Sequence, residues 1–238
     1  MSDYHYDRFT ADAYDLDNFQ GPALGSKAPD ATLTTITGEE IDLLDFDGAF
    51  LVLELGSITC PLFQSRRTGM ADLVAKNPDV DFAVLYVREA HPGAGIGQHK
   101  DFANKQNMVA KLQKDDGEIR AILIDDMGGT AHRALGSFPN SLFIINKAGC
   151  VVYRSDWNNP RATAKALTRL KSGRAAGGQG LFLPAKPPVA FATLKRAGGD
   201  ALKDFLFDLP KLIWKNVIKR NLRLLAGKNA GILPDHVC

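Results

Sequence analysis

Cys60 stands where a thiol can act as a nucleophile. It ends the segment Leu51-Val-Leu-Glu-Leu-Gly-Ser-Ile-Thr-Cys60, and Pro61 follows it. The apolar run reads as a strand, the glycine as a turn, and Cys-Pro as the opening of a helix. Unpaired N–H groups and the helix dipole at that end favour a thiolate. Proline suits the first helical position, where the N–H it lacks has no partner anyway. Ser57 and Thr59 add hydroxyls that can reach the sulfur, with turn capping as the other use of both. The competing reading of Cys60 is a small buried hydrophobe. Phe63 occupies the position a CxxC dithiol would need, so an oxidised Cys60 must be reduced from elsewhere: by Cys150, by Cys238 or by an outside thiol. Cys150 falls in a hairpin strand and reads as inert. Cys238, the last residue on a tail, is the candidate resolving thiol, or an incidental terminal cysteine. Three widely spaced cysteines do not form a disulfide framework, and no Cys/His group has zinc spacing, so no metal is expected.

The elements that must position this thiol alternate between strand and helix. Residues 1–26 form an acidic, aromatic arm. A hairpin over 31–43 turns near Gly38. Strands at 50–55, 82–87 and 120–124 alternate with helices at 60–76, 99–114 and 130–135. A second hairpin, 141–146 and 150–153, leads to a helix at 160–172. This order predicts an α/β, thioredoxin-like three-layer sandwich with a mixed central sheet over 27–172. Pro139 precedes the penultimate strand, where that arrangement carries a cis-proline, so the Phe138–Pro139 bond is expected to be cis and to face Cys60. Residues 173–190, rich in Gly, Ala and Pro, read as a linker. Residues 191–238 read as an amphipathic helical extension of two helices broken at Pro210. Its basic face and its apolar stripe from Leu212 to Leu225 suit packing on the same domain or a homodimer; an anionic membrane surface is the less favoured alternative.

The bulk composition excludes little. Hydrophobic residues make up 45% and charged residues 24%, and the formal net charge of +2 points to no nucleic-acid partner. The first residues carry no apolar stretch of a secretory signal, and no run is long enough to span a bilayer. The expectation is a soluble, cytoplasmic protein.

Several segments taken in order resemble the iodothyronine deiodinases. Gly56-Ser57-Ile58-Thr59-Cys60-Pro61 is similar to that family's Gly-Ser-x-Thr-selenocysteine-Pro. Tyr86-Val87-Arg88-Glu89-Ala90-His91-Pro92 is similar to its Tyr-Ile-Glu-Glu-Ala-His-Pro, Gln98-His99-Lys100 to a Gln-His-Arg, and Asp125-Asp126-Met127 to an Asp-x-Met. The resemblance covers residues 50–170 and implies redox chemistry at position 60. It makes His91 the candidate proton donor, with Glu89 tuning or relaying, and Tyr86, His99, Phe138 and Pro139 candidate substrate contacts. The departures are a cysteine for selenocysteine, Arg88 for the first glutamate, Phe138-Pro139-Asn140 for Tyr-Phe-Glu, and Ser155-Asp-Trp-Asn-Asn-Pro160 for a segment holding a hormone-binding arginine.

The resulting expectation is a single-cysteine, thiol-dependent oxidoreductase. It would remove iodine from iodinated phenols with an external reductant of the dithiol, thioredoxin or glutathione type and no bound cofactor. A thiol peroxidase is the alternative, although the peroxiredoxin Thr-x-x-Cys spacing is absent. A non-catalytic thioredoxin-fold binding module is the third reading.

Overall fold

The computed structural model describes residues 4–227 and 231–238. Its sheet has seven strands: β1 (Thr32–Thr35), β2 (Glu40–Asp42), β3 (Phe50–Gly56), β4 (Asp81–Tyr86), β5 (Ala121–Ile124), β6 (Leu142–Asn146) and β7 (Val151–Ser155). They lie in the order β2-β1-β5-β4-β3-β6-β7. Strands β3, β4 and β5 run parallel, and β6, β7 and the β1–β2 hairpin run antiparallel to their neighbours. Helix α1 (Pro61–Lys76) crosses from β3 to β4. Helix α2 (Phe102–Lys114) precedes β5, α3 (Thr130–Ala134) follows it, and α4 (Pro160–Lys171) follows β7. The β3-α1-β4 and β6-β7-α4 units sharing one sheet make the expected thioredoxin-like fold.

The core explains why β3 reads as an unbroken apolar run. Leu51, Leu53 and Leu55 point to one face, beside Leu85, Phe143 and Ile145. Phe50 and Val52 point to the other, beneath Met70 and Leu73 of α1 and Leu167 of α4. A central strand covered on both faces has no solvent side to alternate with.

Four expectations need correction. No cis peptide occurs among the described residues, so the Phe138–Pro139 bond is trans, the ordinary form. The helical extension begins inside the stretch read as linker, with α5 at Pro187–Ala197. The rest of that stretch is pinned rather than loose: Asn159 donates to the Leu181 carbonyl at 3.0 Å, and Asn221 accepts from the Phe182 N–H at 2.7 Å. The tail also does not break at Pro210. Helix α6 (Gly199–Leu212) contains that proline and continues through a π-helical stretch (Ile213–Arg220) into α7 (Asn221–Ala226). The break lies at Gly198, whose φ of 141° suits only glycine.

The fourth correction concerns the cysteines. Cys150 and Cys238 form a disulfide, with Cα atoms 5.9 Å apart, so Cys238 is not a resolving thiol. Cys150 lies beside Asn146, which pairs with Phe50 at the start of β3, whereas Cys60 follows the far end of that strand. The length of β3 separates them by ~20 Å. Sequence spacing cannot reveal such a pairing, and a disulfide of this kind is rare in the cytoplasm, where the chain was expected.

The acidic arm and the basic tail, read separately from sequence, neutralise each other. Lys219 pairs with Asp17 at 2.8 Å, Lys215 with the same carboxylate, Lys211 with Asp12, and Arg8 with Asp204. The arm is held from beneath as well. The Arg88 guanidinium lies 4.7–5.4 Å from the ring centres of Tyr4, Tyr6 and Tyr14. Among the described residues, no helix is long and apolar enough to cross a membrane.

Candidate active site

The parallel strands end together, and the loops after β3 and β4 meet over those ends. Gly56 is required there, because a Cβ would sit 2.4 Å from the Phe63 ring. Cys60 caps α1, Pro61 is its first helical residue, and the thiol is 1% exposed. Its sulfur makes no capping hydrogen bond. Burial pushes the thiol up to about 12, and the nearby N–H groups of Phe63 and Leu62 and the Arg66 guanidinium counter this only in part. The helix end therefore does not prevail at this buried sulfur, because desolvation disfavours the thiolate more strongly.

Glu89 ties the two loops together. Its Oε2 accepts from the Thr59 N–H at 3.0 Å and the Thr59 hydroxyl at 2.5 Å, and its Oε1 from the Tyr86 hydroxyl at 2.5 Å. His99 Nε2 lies 3.5 Å from the same Oε1. The Thr59 hydroxyl accepts from the His91 N–H at 3.2 Å, and the Ser57 hydroxyl accepts from the Ala90 N–H at 3.1 Å. Both hydroxyls thus fix the loop that carries His91 instead of turning to the sulfur. Burial raises the Glu89 carboxyl above the usual range, against the Thr59 and Tyr86 hydrogen bonds that lower it.

Cys60, His91 and Pro139 line one cavity of about 100 Å³. The His91 ring lies 4.0 Å from that of Phe9 and 5.6 Å from that of Phe205, and its buried Nδ1 has no partner among the described residues. Burial drops its pKa to about 3, so the imidazole is neutral. The other sequence candidates do not line this cavity. Tyr86 and His99 lie in the network under the Cys60 turn, and Phe138 stacks on Trp157 with ring centres 5.0 Å apart.

Sequence reasoning missed most of the wall. The arm contributes Phe9 and Tyr14, the β7–α4 loop Trp157, the stretch before α5 Phe182, and the tail Phe205 and Asn216. The aromatic leader and the apolar helix stripe were the available signals. Glu54 was missed too: beneath the site, this buried carboxylate in an apolar strand accepts from Arg120 at 2.5 Å, Asn140 at 2.7 Å and Asn158 at 2.6 Å. Among the described residues, no His, Cys, Asp and Glu side chains cluster as metal ligands.

Two predictions follow from burial. Cys60 is the free cysteine. With its pKa near 12, its alkylation rate by iodoacetamide rises about tenfold per pH unit from 7 to 10. A plateau near neutrality would mean a preformed thiolate. The second concerns acid stability. His91, His99 and His132 are all lowered to about 3, chiefly by burial. Their contribution is complete above 6.5 and is lost as pH falls, because the unfolded chain takes up the protons first. Each withdraws about 1.4 kcal/mol per pH unit. Glu89 and Asp125, both raised by burial, oppose this with at most two protons against three. The urea midpoint is therefore lower at pH 5 than at pH 7; an unchanged or higher midpoint would show that these imidazoles are not buried neutral.

The chain matches the iodothyronine deiodinase family over residues 1–161. It is 31% identical over 152 residues to a thyroxine 5-deiodinase of Ovis aries and 30% identical over the same length to that of Homo sapiens. Those matches cover 58% of this chain and 51% and 49% of the relatives, so the chain spans about half the length of the curated relatives it matches. Among solved structures it is similar to an uncharacterized conserved protein of Geobacillus kaustophilus, with TM-score 0.52 and 20% identity, covering 68% of this chain and 88% of that one. A hypothetical protein of Sinorhizobium meliloti gives TM-score 0.53 and 18% identity, covering 67% and 90%. These two likenesses show the fold. The family match spans well over half the chain and includes Cys60, Glu89 and His91, so this chain belongs to the iodothyronine deiodinase family.

Proposed function

We propose that this chain is a single-cysteine, thiol-dependent oxidoreductase that reductively removes iodine from phenolic substrates. The observation that carries the reading is the shared enclosure of Cys60 and His91 in one apolar cavity. Burial keeps both groups neutral. Substrate reaches the thiol from the open side of the cavity, beside Ile213, and the Phe63 and Leu62 N–H groups and the Arg66 guanidinium favour the thiolate as it forms. His91 takes the thiol proton, and the sulfur attacks iodine along the C–I bond. That bond breaks, an S–I bond forms, and His91 returns the proton to the ring carbon. An external thiolate then attacks the sulfenyl sulfur and expels iodide. A second one frees Cys60 and leaves as the disulfide. Per turnover, one aryl iodide and two thiols become one arene, one disulfide, iodide and a proton.

The reductant must come from outside, because the other two cysteines are joined at the opposite end of the sheet. Glu89 and Thr59 act here as positioning residues, holding the His91 loop against the Cys60 turn. The test is iodide release from 2-iodophenol with dithiothreitol, expected to depend on Cys60. Its absence for every aryl iodide tried would overturn the reading. Peroxide reduction is the second reading, favoured by the small cavity. It requires Cys60 to react with hydrogen peroxide or an alkyl hydroperoxide much faster than a free thiol does.

A further inference from the structure

The wall of the Cys60 cavity contributed by Phe205 and Asn216 lies beyond residue 161, outside the family match. The chain's own tail therefore shapes the space in front of the thiol. None of the side chains lining that space carries a charge at neutral pH: the titratable ones are Cys60, His91 and Tyr14, and burial holds all three neutral. A zwitterionic or carboxylate ligand enclosed there would lose its hydration with no partner in return. The volume of about 100 Å³ also limits size, since a cavity of roughly 150 Å³ is what encloses benzene. One ring fits with a modest shift of the wall.

Besides the unpartnered Nδ1 of His91, one polar side chain on this wall is available to a ligand. Asn216 is 2% exposed and lies in the π-helical stretch, a distortion that recurs at functional sites. Its Oδ1 accepts from the Trp157 indole N–H at 2.9 Å, which fixes the side chain. Its amide NH2 has no partner among the described residues, and the residue lines the cavity.

We propose that the tail selects an uncharged, single-ring hydroxylated aromatic as ligand of the Cys60 cavity, with the Asn216 amide donating to its hydroxyl oxygen. The proposal rests on the dehalogenase reading of the same site and refines its substrate. It treats Asn216 as a specificity residue supplied by the extension and excludes the free amino acid form of an iodinated phenol.

The experiment measures binding and turnover separately. Quenching of tryptophan fluorescence reports binding, because Trp157 lines the cavity. The probes are 2-iodophenol, iodobenzene and 3-iodotyrosine. The intact chain is expected to bind 2-iodophenol roughly tenfold more tightly than iodobenzene, as one buried hydrogen bond implies, and at least tenfold more tightly than 3-iodotyrosine. Asn216→Leu should weaken 2-iodophenol about tenfold and leave iodobenzene within twofold; loss of iodobenzene binding would show a damaged cavity, and the ranking on the unaltered chain then decides. Equal binding of 2-iodophenol and iodobenzene by the unaltered chain, or 3-iodotyrosine bound as tightly as 2-iodophenol, overturns the proposal. An Asn216→Leu variant that keeps full preference for 2-iodophenol removes Asn216 from it. The expected ranking without iodide release would leave the ligand class standing and overturn the dehalogenase chemistry. Iodide released from all three alike would do the reverse.

Discussion

Cys60→Ser is expected to lower iodide release from an aryl iodide by about three orders of magnitude or more. A hydroxyl is far harder to ionise than a thiol, and oxygen does not replace sulfur as the acceptor of iodine. The exchange is otherwise mild. Serine is slightly smaller, and the N–H groups at the start of α1 that lie near the sulfur can serve a hydroxyl equally well. Thermal unfolding should shift by only a few degrees, which separates a lost nucleophile from a lost fold. Retention of more than a tenth of the activity with the melting curve unchanged would place the chemistry elsewhere.

Glu89→Ala is expected to cost about 3–5 kcal/mol of stability. The alanine leaves the Thr59 N–H, the Thr59 hydroxyl and the Tyr86 hydroxyl without their acceptor in a fully buried site. It also releases the loop that presents His91, because the Thr59 hydroxyl is what the His91 N–H donates to. Glu89→Gln should cost about 1–2 kcal/mol. One amide oxygen still serves Thr59, and the Tyr86 hydroxyl can turn to accept from the new NH2. Urea denaturation of the two variants measures the difference. A Glu89→Ala variant destabilised by less than 1 kcal/mol would mean that water enters and satisfies these donors, in which case the site is not dry.

The thioredoxin-like core was legible because its signals are local. Strand β3 is apolar throughout since both of its faces are covered, and Cys60-Pro61 marks the start of α1 through the chemistry of a helix end. What was not legible depends on partners far apart in sequence. The disulfide joins residues 88 positions apart, and nothing near Cys238 indicates it. The acidic leader and the basic tail were read as separate segments, and their pairing through Asp12 and Asp17 appears only in three dimensions. Ser57 and Thr59 were placed correctly beside the cysteine, but their hydroxyls serve the His91 loop. The helix end implied an activated thiol; the tail and the arm cover it so fully that burial reverses the shift.

A single turnover without reductant tests the proposed chemistry most directly. The protein is mixed with excess 2-iodophenol, freed of unbound substrate, then treated with one equivalent of an isotopically labelled thiol, and both iodide and the modified peptide are quantified. The mechanism predicts at most one iodide per chain in the first turnover and the label in disulfide linkage to Cys60. Iodide released with Cys60 unlabelled, or no iodide at all from a protein whose Cys60 remains free, would contradict it.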